Sequence, residues 1–159
     1  GESGIPGEIQ GFLSSASGSI GRIIKNTEYG IYGVLMSGVD LSRFQKPIPV
    51  ARREEIRLGP AMIYSTIDHR GVRPFSCEIV KLSEQSIPGQ KGMVIHITDP
   101  ELLSRTGGIV QGMSGSPIVQ DGKLVGAVTH VFVNNPTKGY GLYADWMLQQ
   151  IDSSDKTIK

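Results

Sequence analysis

The stretch Gly107–His130, GGIVQGMSGSPIVQDGKLVGAVTH, constrains the fold of this chain more than any other. At its centre, Gly112-Met113-Ser114-Gly115-Ser116-Pro117 sets a serine between glycines, a sequence suited to a tight turn that projects the hydroxyl away from the backbone. The same turn can aim successive N–H groups at one point. Nucleophilic acyl transfer needs both features, a nucleophile and donors for the oxyanion that develops. Ser114 is the candidate nucleophile, and the N–H groups of Gly112 and Ser114 are the candidate oxyanion donors. Ser116–Gln120 then reads as a short strand, Asp121-Gly122 as a two-residue turn and Lys123–Val133 as an alternating second strand. A serine that leads into a β-hairpin is not the strand-to-helix elbow of α/β-hydrolases. The bland alternative is a glycine-rich β-turn with an exposed serine.

In this order of elements the segment resembles trypsin-like serine peptidases, which carry G-D-S-G-G-P, an apolar strand, a short G-K turn and a second apolar strand. A lone G-x-S-G is weak, and the hairpin in register behind it supplies the specificity.

Composition narrows the class. Twenty-one of the 159 residues are glycine, about twice the usual share, and helix signals are sparse, which favours a β-rich, turn-rich fold. Net charge is +1 with the basic residues scattered among acids, so nothing points to nucleic acid. No apolar run is long enough for a membrane span, and no signal peptide is visible. The opening Gly1-Glu2-Ser3-Gly4 lacks a methionine and reads as excised from something longer, by engineering or by self-cleavage. Cys77 is the single cysteine and sits in an alternating apolar run, so it reads as a buried structural thiol. No H-x-x-H or C-x-x-C spacing occurs, so neither a metal nor another cofactor is expected.

Along the chain, Gly1–Ser19 reads as loop, and Ser19–Lys25 and Tyr29–Met36 as a hairpin turning at Asn26-Thr27-Glu28. Ser37–Gln45 reads as irregular and Lys46–Ala51 as a short extended edge segment. Arg52-Arg53-Glu54-Glu55 reads as a solvated, self-compensating face. From Gly59 the strand signals are regular: Pro60–Ile67, Val72–Leu82, Lys91–Thr98, the serine hairpin, and Tyr140–Ala144 after a turn over Asn134–Gly139. A short amphipathic helix over Asp145–Gln150 and a frayed tail follow. The expected fold is all-β. Residues 59–159 form one complete six-stranded antiparallel barrel with a C-terminal helix, and residues 1–58 supply part of a second barrel and a linker.

Two blocks carry a closer resemblance. The first runs from Lys91 through Asp99-Pro100 and Thr106-Gly107-Gly108-Ile109-Val110-Gln111-Gly112 to Ser114 and Pro117. The second runs from Asp121-Gly122-Lys123 through Thr129-His130-Val131-Phe132 to Gly139-Tyr140-Gly141 and Trp146-Met147-Leu148. Together they resemble the stage four sporulation protein B serine peptidases of endospore-forming bacteria, over nearly the whole chain. The resemblance implies a trypsin-like double-barrel peptidase, preceded by a PDZ domain, in the space between forespore and mother-cell membranes. There the family serves signalling by cutting a partner that restrains a membrane-embedded protease. It implies Ser114 as nucleophile and Asp99 as triad acid. The family's histidine lies in a G-A-L-G-H stretch that nothing here matches, so this polypeptide alone is expected to be inactive or nearly so. The expected partners are a peptide or protein substrate and either an upstream segment of the same protein or a neighbouring copy that completes the first barrel.

Asp99 also reads as a helix N-cap ahead of Pro100, and the two roles are compatible. Among the three histidines, His69 reads as exposed in a turn and His96 as structural. His130 falls where trypsin-like peptidases have the strand that pairs with substrate, so it is a candidate for the cleft. Gly108, six residues before the serine, stands at the base of the primary specificity pocket in such enzymes and carries no charge. The rival readings are a non-catalytic peptide-binding β-barrel and a structural domain whose glycine-rich loop is incidental.

Overall fold

The computed structural model describes residues 12–15, 18–39 and 47–151, with side chains from residue 20 onward. Two compact units divide the chain, Gly1–Pro47 and Ile48–Lys159. The sequence reading drew its boundary at Gly59. In the structure Ile48–Leu58 belongs with the barrel.

In the first unit, β1 (Phe12–Ser15), β2 (Gly18–Thr27) and β3 (Gly30–Leu35) form an antiparallel sheet in that order. The hairpin of β2 and β3 matches expectation, although it turns at Glu28-Tyr29 and not at Asn26. The Thr27 hydroxyl caps this turn by accepting from the Tyr29 N–H at 3.1 Å. Strand β1 falls within a segment read as loop. Its two serines hide its period, and its pairing with Arg22 through Gly18 defines it. Gly18 and Ser19 of that loop reading belong to β2, and the remainder, with most of Ser37–Gln45, lies outside the described residues.

The second unit is a closed barrel in the order β4-β5-β6-β9-β8-β7. Its strands are β4 (Gly59–Thr66), β5 (Val72–Leu82), β6 (Met93–Ile97), β7 (Pro117–Gln120), β8 (Lys123–Phe132) and β9 (Asn135–Tyr143). Helix α1 (Pro100–Thr106) follows β6, and α2 (Ala144–Gln149) follows β9. Alternation fills the interior. Ala61, Ile63 and Ser65 point inward from β4, and Phe75, Cys77 and Ile79 from β5. With Met93, Ile95, Ile97, Leu102, Ile118, Val125 and Val128 they form the centre of the core, each large apolar side chain stabilising the fold by about 1.5–3 kcal/mol. Cys77 is buried and its thiol pKa is pushed up to about 12 by desolvation, as a structural thiol should be.

One strand begins earlier than the sequence suggested. β9 starts at Asn135, so the turn is only Val133-Asn134 and the expected loop through Gly139 is strand. Pro136 is tolerated there because the β8–β9 register breaks between Val131 and Phe132. Its carbonyl accepts from Ile109 N–H at 2.8 Å.

The segment before β4 straps the barrel. Val50 bridges to Leu124 in parallel, with Ala51 N–H donating to the Leu124 carbonyl at 2.9 Å. Gln120, nearly fully buried, accepts from Arg57 N–H at 3.0 Å and donates to the Arg57 and Pro60 carbonyls at 2.9 and 3.1 Å. Arg53 departs from the solvated-face reading. Its guanidinium pairs with Asp145 at 2.6 Å and stacks 3.7 Å from the Trp146 ring centroid, fastening α2 to the strap.

Candidate active site

The turn that carries Ser114 is held from both sides. Met113 is buried, and its N–H donates to the Val110 carbonyl at 3.1 Å while its carbonyl accepts from Ser116 N–H at 3.0 Å. Gly115 N–H donates to the Val128 carbonyl at 2.7 Å, and Val128 N–H to the Ser116 carbonyl at 2.9 Å. Gly112 and Gly115 have φ of 97° and 89°, values that L side chains rarely adopt. The buried Met113 anchors the loop, and the glycines on either side of Met113-Ser114 let the chain reverse so that Ser114 is exposed. Among the described residues, the N–H groups of Gly112 and Ser114 have no hydrogen-bond acceptor within the protein, whereas the Met113 N–H between them is committed.

The Ser114 hydroxyl donates to the Thr129 carbonyl at 3.0 Å. Thr129 is the extra residue of a bulge in β8, since Val128 pairs with Gly141 and His130 with Tyr140. A bulge releases one residue from the ladder and turns it elsewhere. Here the released carbonyl faces the serine, while the Thr129 hydroxyl donates to the Gln90 carbonyl at 2.9 Å. The sequence reading missed Thr129, because alternation places a residue on a face but does not reveal an extra one.

Asp99 is the N-cap of α1 and its carboxylate is used on both oxygens. One accepts from Leu102 N–H at 3.0 Å and the other from Ser76 N–H at 3.2 Å. The Ser76 carbonyl in turn accepts from the N–H groups of Thr98 and Asp99. The carboxylate is thereby held between β5 and the start of α1. A salt-bridge cluster pins α1 to the turn between β4 and β5: Arg70 and Arg73 each pair with both Asp68 and Glu101, and Arg105 joins both acids from within α1. Hydrogen bonds from Arg73 and Arg70 lower the Glu101 pKa to about 2, and those from Arg70 hold Asp68 well below the usual carboxylate range.

His130 is exposed on β8, one residue beyond Thr129 and opposite Tyr140. His69 is exposed in the β4–β5 turn, and His96 is half-buried in β6 opposite Glu78 and Lys138. Gly108 is buried, with φ of 134°, and a Cβ there would lie 2.2 Å from the Pro136 carbonyl oxygen. Close backbone approach between the α1–β7 loop and β9 accounts for this glycine. Among the described residues, no three His, Cys, Asp or Glu side chains gather as a metal site would require.

A closed six-stranded antiparallel barrel with a glycine-flanked serine turn ahead of a β-hairpin has the fold of a trypsin-like peptidase. More specifically, this chain belongs to the SpoIVB peptidase S55 family, whose sequence profile matches residues 1–148. Two solved structures share the fold. The active form of the Rv3671c protease from M. tuberculosis is similar at TM-score 0.55 and 16% identity, over 80% of this chain and 55% of that one. The inactive form of the same protein from M. tuberculosis H37Rv, a serine-to-alanine mutant, gives TM-score 0.57 and 15% identity, over 87% of this chain and 66% of that one. The chain therefore spans between about half and two thirds of the length of these structural relatives. Comparison with curated protein sequences returned no match.

Proposed function

We propose that this chain is the carboxyl-side part of a serine endopeptidase domain, with Ser114 as nucleophile and a peptide or protein as substrate. The observation that carries the reading is the Ser114 turn: an exposed hydroxyl flanked by two uncommitted N–H groups, beside a strand carbonyl released by a bulge. In the reaction, Ser114 Oγ bonds to the substrate carbonyl carbon as its proton passes to a base. The Gly112 and Ser114 N–H groups stabilise the oxyanion, and the amine leaves with the proton from the base. Water then hydrolyses the acyl-enzyme ester. In the present arrangement the hydroxyl donates to Thr129, so this bond must give way before a base can take the proton.

The base is a histidine supplied from outside this chain, and Asp99 is the acid that orients it. Each Asp99 oxygen accepts one backbone hydrogen bond and keeps acceptor capacity for an imidazole N–H. Completion of the amino-side unit fits this scheme. In the β1-β2-β3 sheet the outer strands each pair on one side only among the described residues, and Ile31 and Leu35 on β3 are 63% and 47% exposed. Such an edge is normally paired or shielded. An upstream segment of the same protein, or a neighbouring copy, is the expected cover and would bring the histidine. We place the enzyme, as its family suggests, in signalling during sporulation, between the forespore and mother-cell membranes.

Ser114→Ala in the complete enzyme tests the nucleophile. Hydrolysis should fall by roughly a factor of a million, while Ser116→Ala, past the turn, should be mild. Equal losses in the two variants would refute the assignment. Fluorophosphonate labelling of Ser114 should require the upstream segment. A complete protein that never labels, yet binds peptides, would be a binding module.

A further inference from the structure

Hydrogen bonds lead outward from the serine to a second site. Ser114 is tied to the Thr129 carbonyl, and the Thr129 hydroxyl to the Gln90 carbonyl at 2.9 Å. The next residue, Lys91, holds its ammonium 4.9 Å from the ring centroid of Tyr140. Tyr140 lies opposite His130 in the β8–β9 ladder and packs on Phe132 with ring centroids 4.6 Å apart. Gln90, Lys91, His130, Phe132 and Tyr140 line a cleft of about 620 Å³, which Asn134 and Asn135 close at the β8–β9 turn. Among the described residues no Asp or Glu lines it, and the Lys91 ammonium gives it a positive charge.

A peptide whose scissile carbonyl sits at Ser114 and whose backbone follows β8 advances ~3.3 Å per residue. The stretch from Thr129 to Phe132 is then reached by its second or third residue on the acyl side. Side chains alternate in such a peptide, so one of these two projects toward the aromatic wall. We infer that the Lys91–His130–Tyr140 cleft is a specificity pocket for an acidic side chain, Asp or Glu, two or three residues before the scissile bond. The Tyr140 and Phe132 rings pack against the methylene part of that side chain, and the Lys91 ammonium and asparagine amides meet its carboxylate. An aliphatic residue would gain only the first of these contacts, and a lysine or arginine would meet like charge.

The inference rests on the peptidase reading, and the two are separated by measuring binding apart from hydrolysis. This chain, bearing Ser114→Ala, is titrated into fluorescein-labelled heptapeptides that differ only in Glu, Gln or Lys at the second or third acyl-side residue. Fluorescence anisotropy at low salt should show the Glu peptide binding about three- to fivefold tighter than the Gln peptide, the scale of one partly exposed ion pair. The preference should shrink in 0.5 M salt. Lys91→Glu should reverse it, so that the Lys peptide binds best. Equal binding of Glu and Gln peptides, or a Glu preference that survives Lys91→Glu, overturns the pocket. Cleavage of the same peptides by the complete enzyme is followed in parallel. Hydrolysis without any Glu preference in kcat/KM removes the pocket and leaves the peptidase. A Glu preference in binding with no hydrolysis supports the pocket and removes the peptidase.

Discussion

Asparagine caps isolated helices about as well as aspartate, so Asp99→Asn would be stability-neutral if Asp99 only capped α1. The structure gives a different expectation. The Asp99 carboxylate accepts from two backbone donors, Leu102 N–H at 3.0 Å and Ser76 N–H at 3.2 Å. An amide has one oxygen, so whichever donor it keeps, its NH2 group faces the other N–H. Leaving a donor unsatisfied costs about 1–3 kcal/mol, and because Ser76 is half-buried the lower part of that range, about 1–2 kcal/mol, applies. Asp99→Ala removes both acceptors and adds the loss of the cap, about 1 kcal/mol more. For a domain of this size each kcal/mol moves Tm by about 4 °C. The expected order is wild type, then Asn lower by about 4–8 °C, then Ala lower by about 8–12 °C. Thermal melts followed by circular dichroism on this chain measure it without any need for activity. If Asn melts with wild type, the Ser76 contact carries no weight and Asp99 is an ordinary cap. In the complete enzyme both variants should also lose turnover steeply, and Asn should lose far more activity than its stability explains.

Gly108→Ala should be severely destabilising, because its Cβ would sit 2.2 Å from the Pro136 carbonyl oxygen, backbone against backbone. Gly112→Ala, whose Cβ would meet nothing within 4 Å, carries only the φ strain of about 1–3 kcal/mol, and urea denaturation should separate the two. The Glu101 pKa is depressed from 4.5 to about 2, so its contribution is present above pH 4.5 and is lost as pH falls toward 2. Glu101→Gln should flatten acid unfolding over that window, and an unchanged acid limb would refute the pairing. Cys77, with its thiol raised to about 12 and buried, should resist alkylation at pH 8 until the barrel is unfolded in denaturant, and ready labelling of the native chain would contradict its place in the core.

The barrel was legible in the sequence because strand residues alternate between two environments. Val72–Leu82 reads and folds as the same strand, with Phe75, Cys77 and Ile79 all turned inward. The capped helix was equally legible, since Asp99 and Pro100 announce it through local chemistry alone. The serine turn was legible through glycine spacing, which reports backbone conformations that other residues avoid. What the sequence left hidden depends on contacts between segments far apart in the chain. β1 is a strand because β2 offers it an edge, and β9 begins at Asn135 because the register breaks at Val131. Arg53 is half-buried because Trp146, 93 positions later, gives it a face to stack on. The Thr129 bulge, the second hydrogen bond to Asp99 and the Lys91 cleft belong to the same class. Periodicity fixes which way a side chain points within its own segment. Only the closed barrel decides which distant donor, acceptor or ring it meets there.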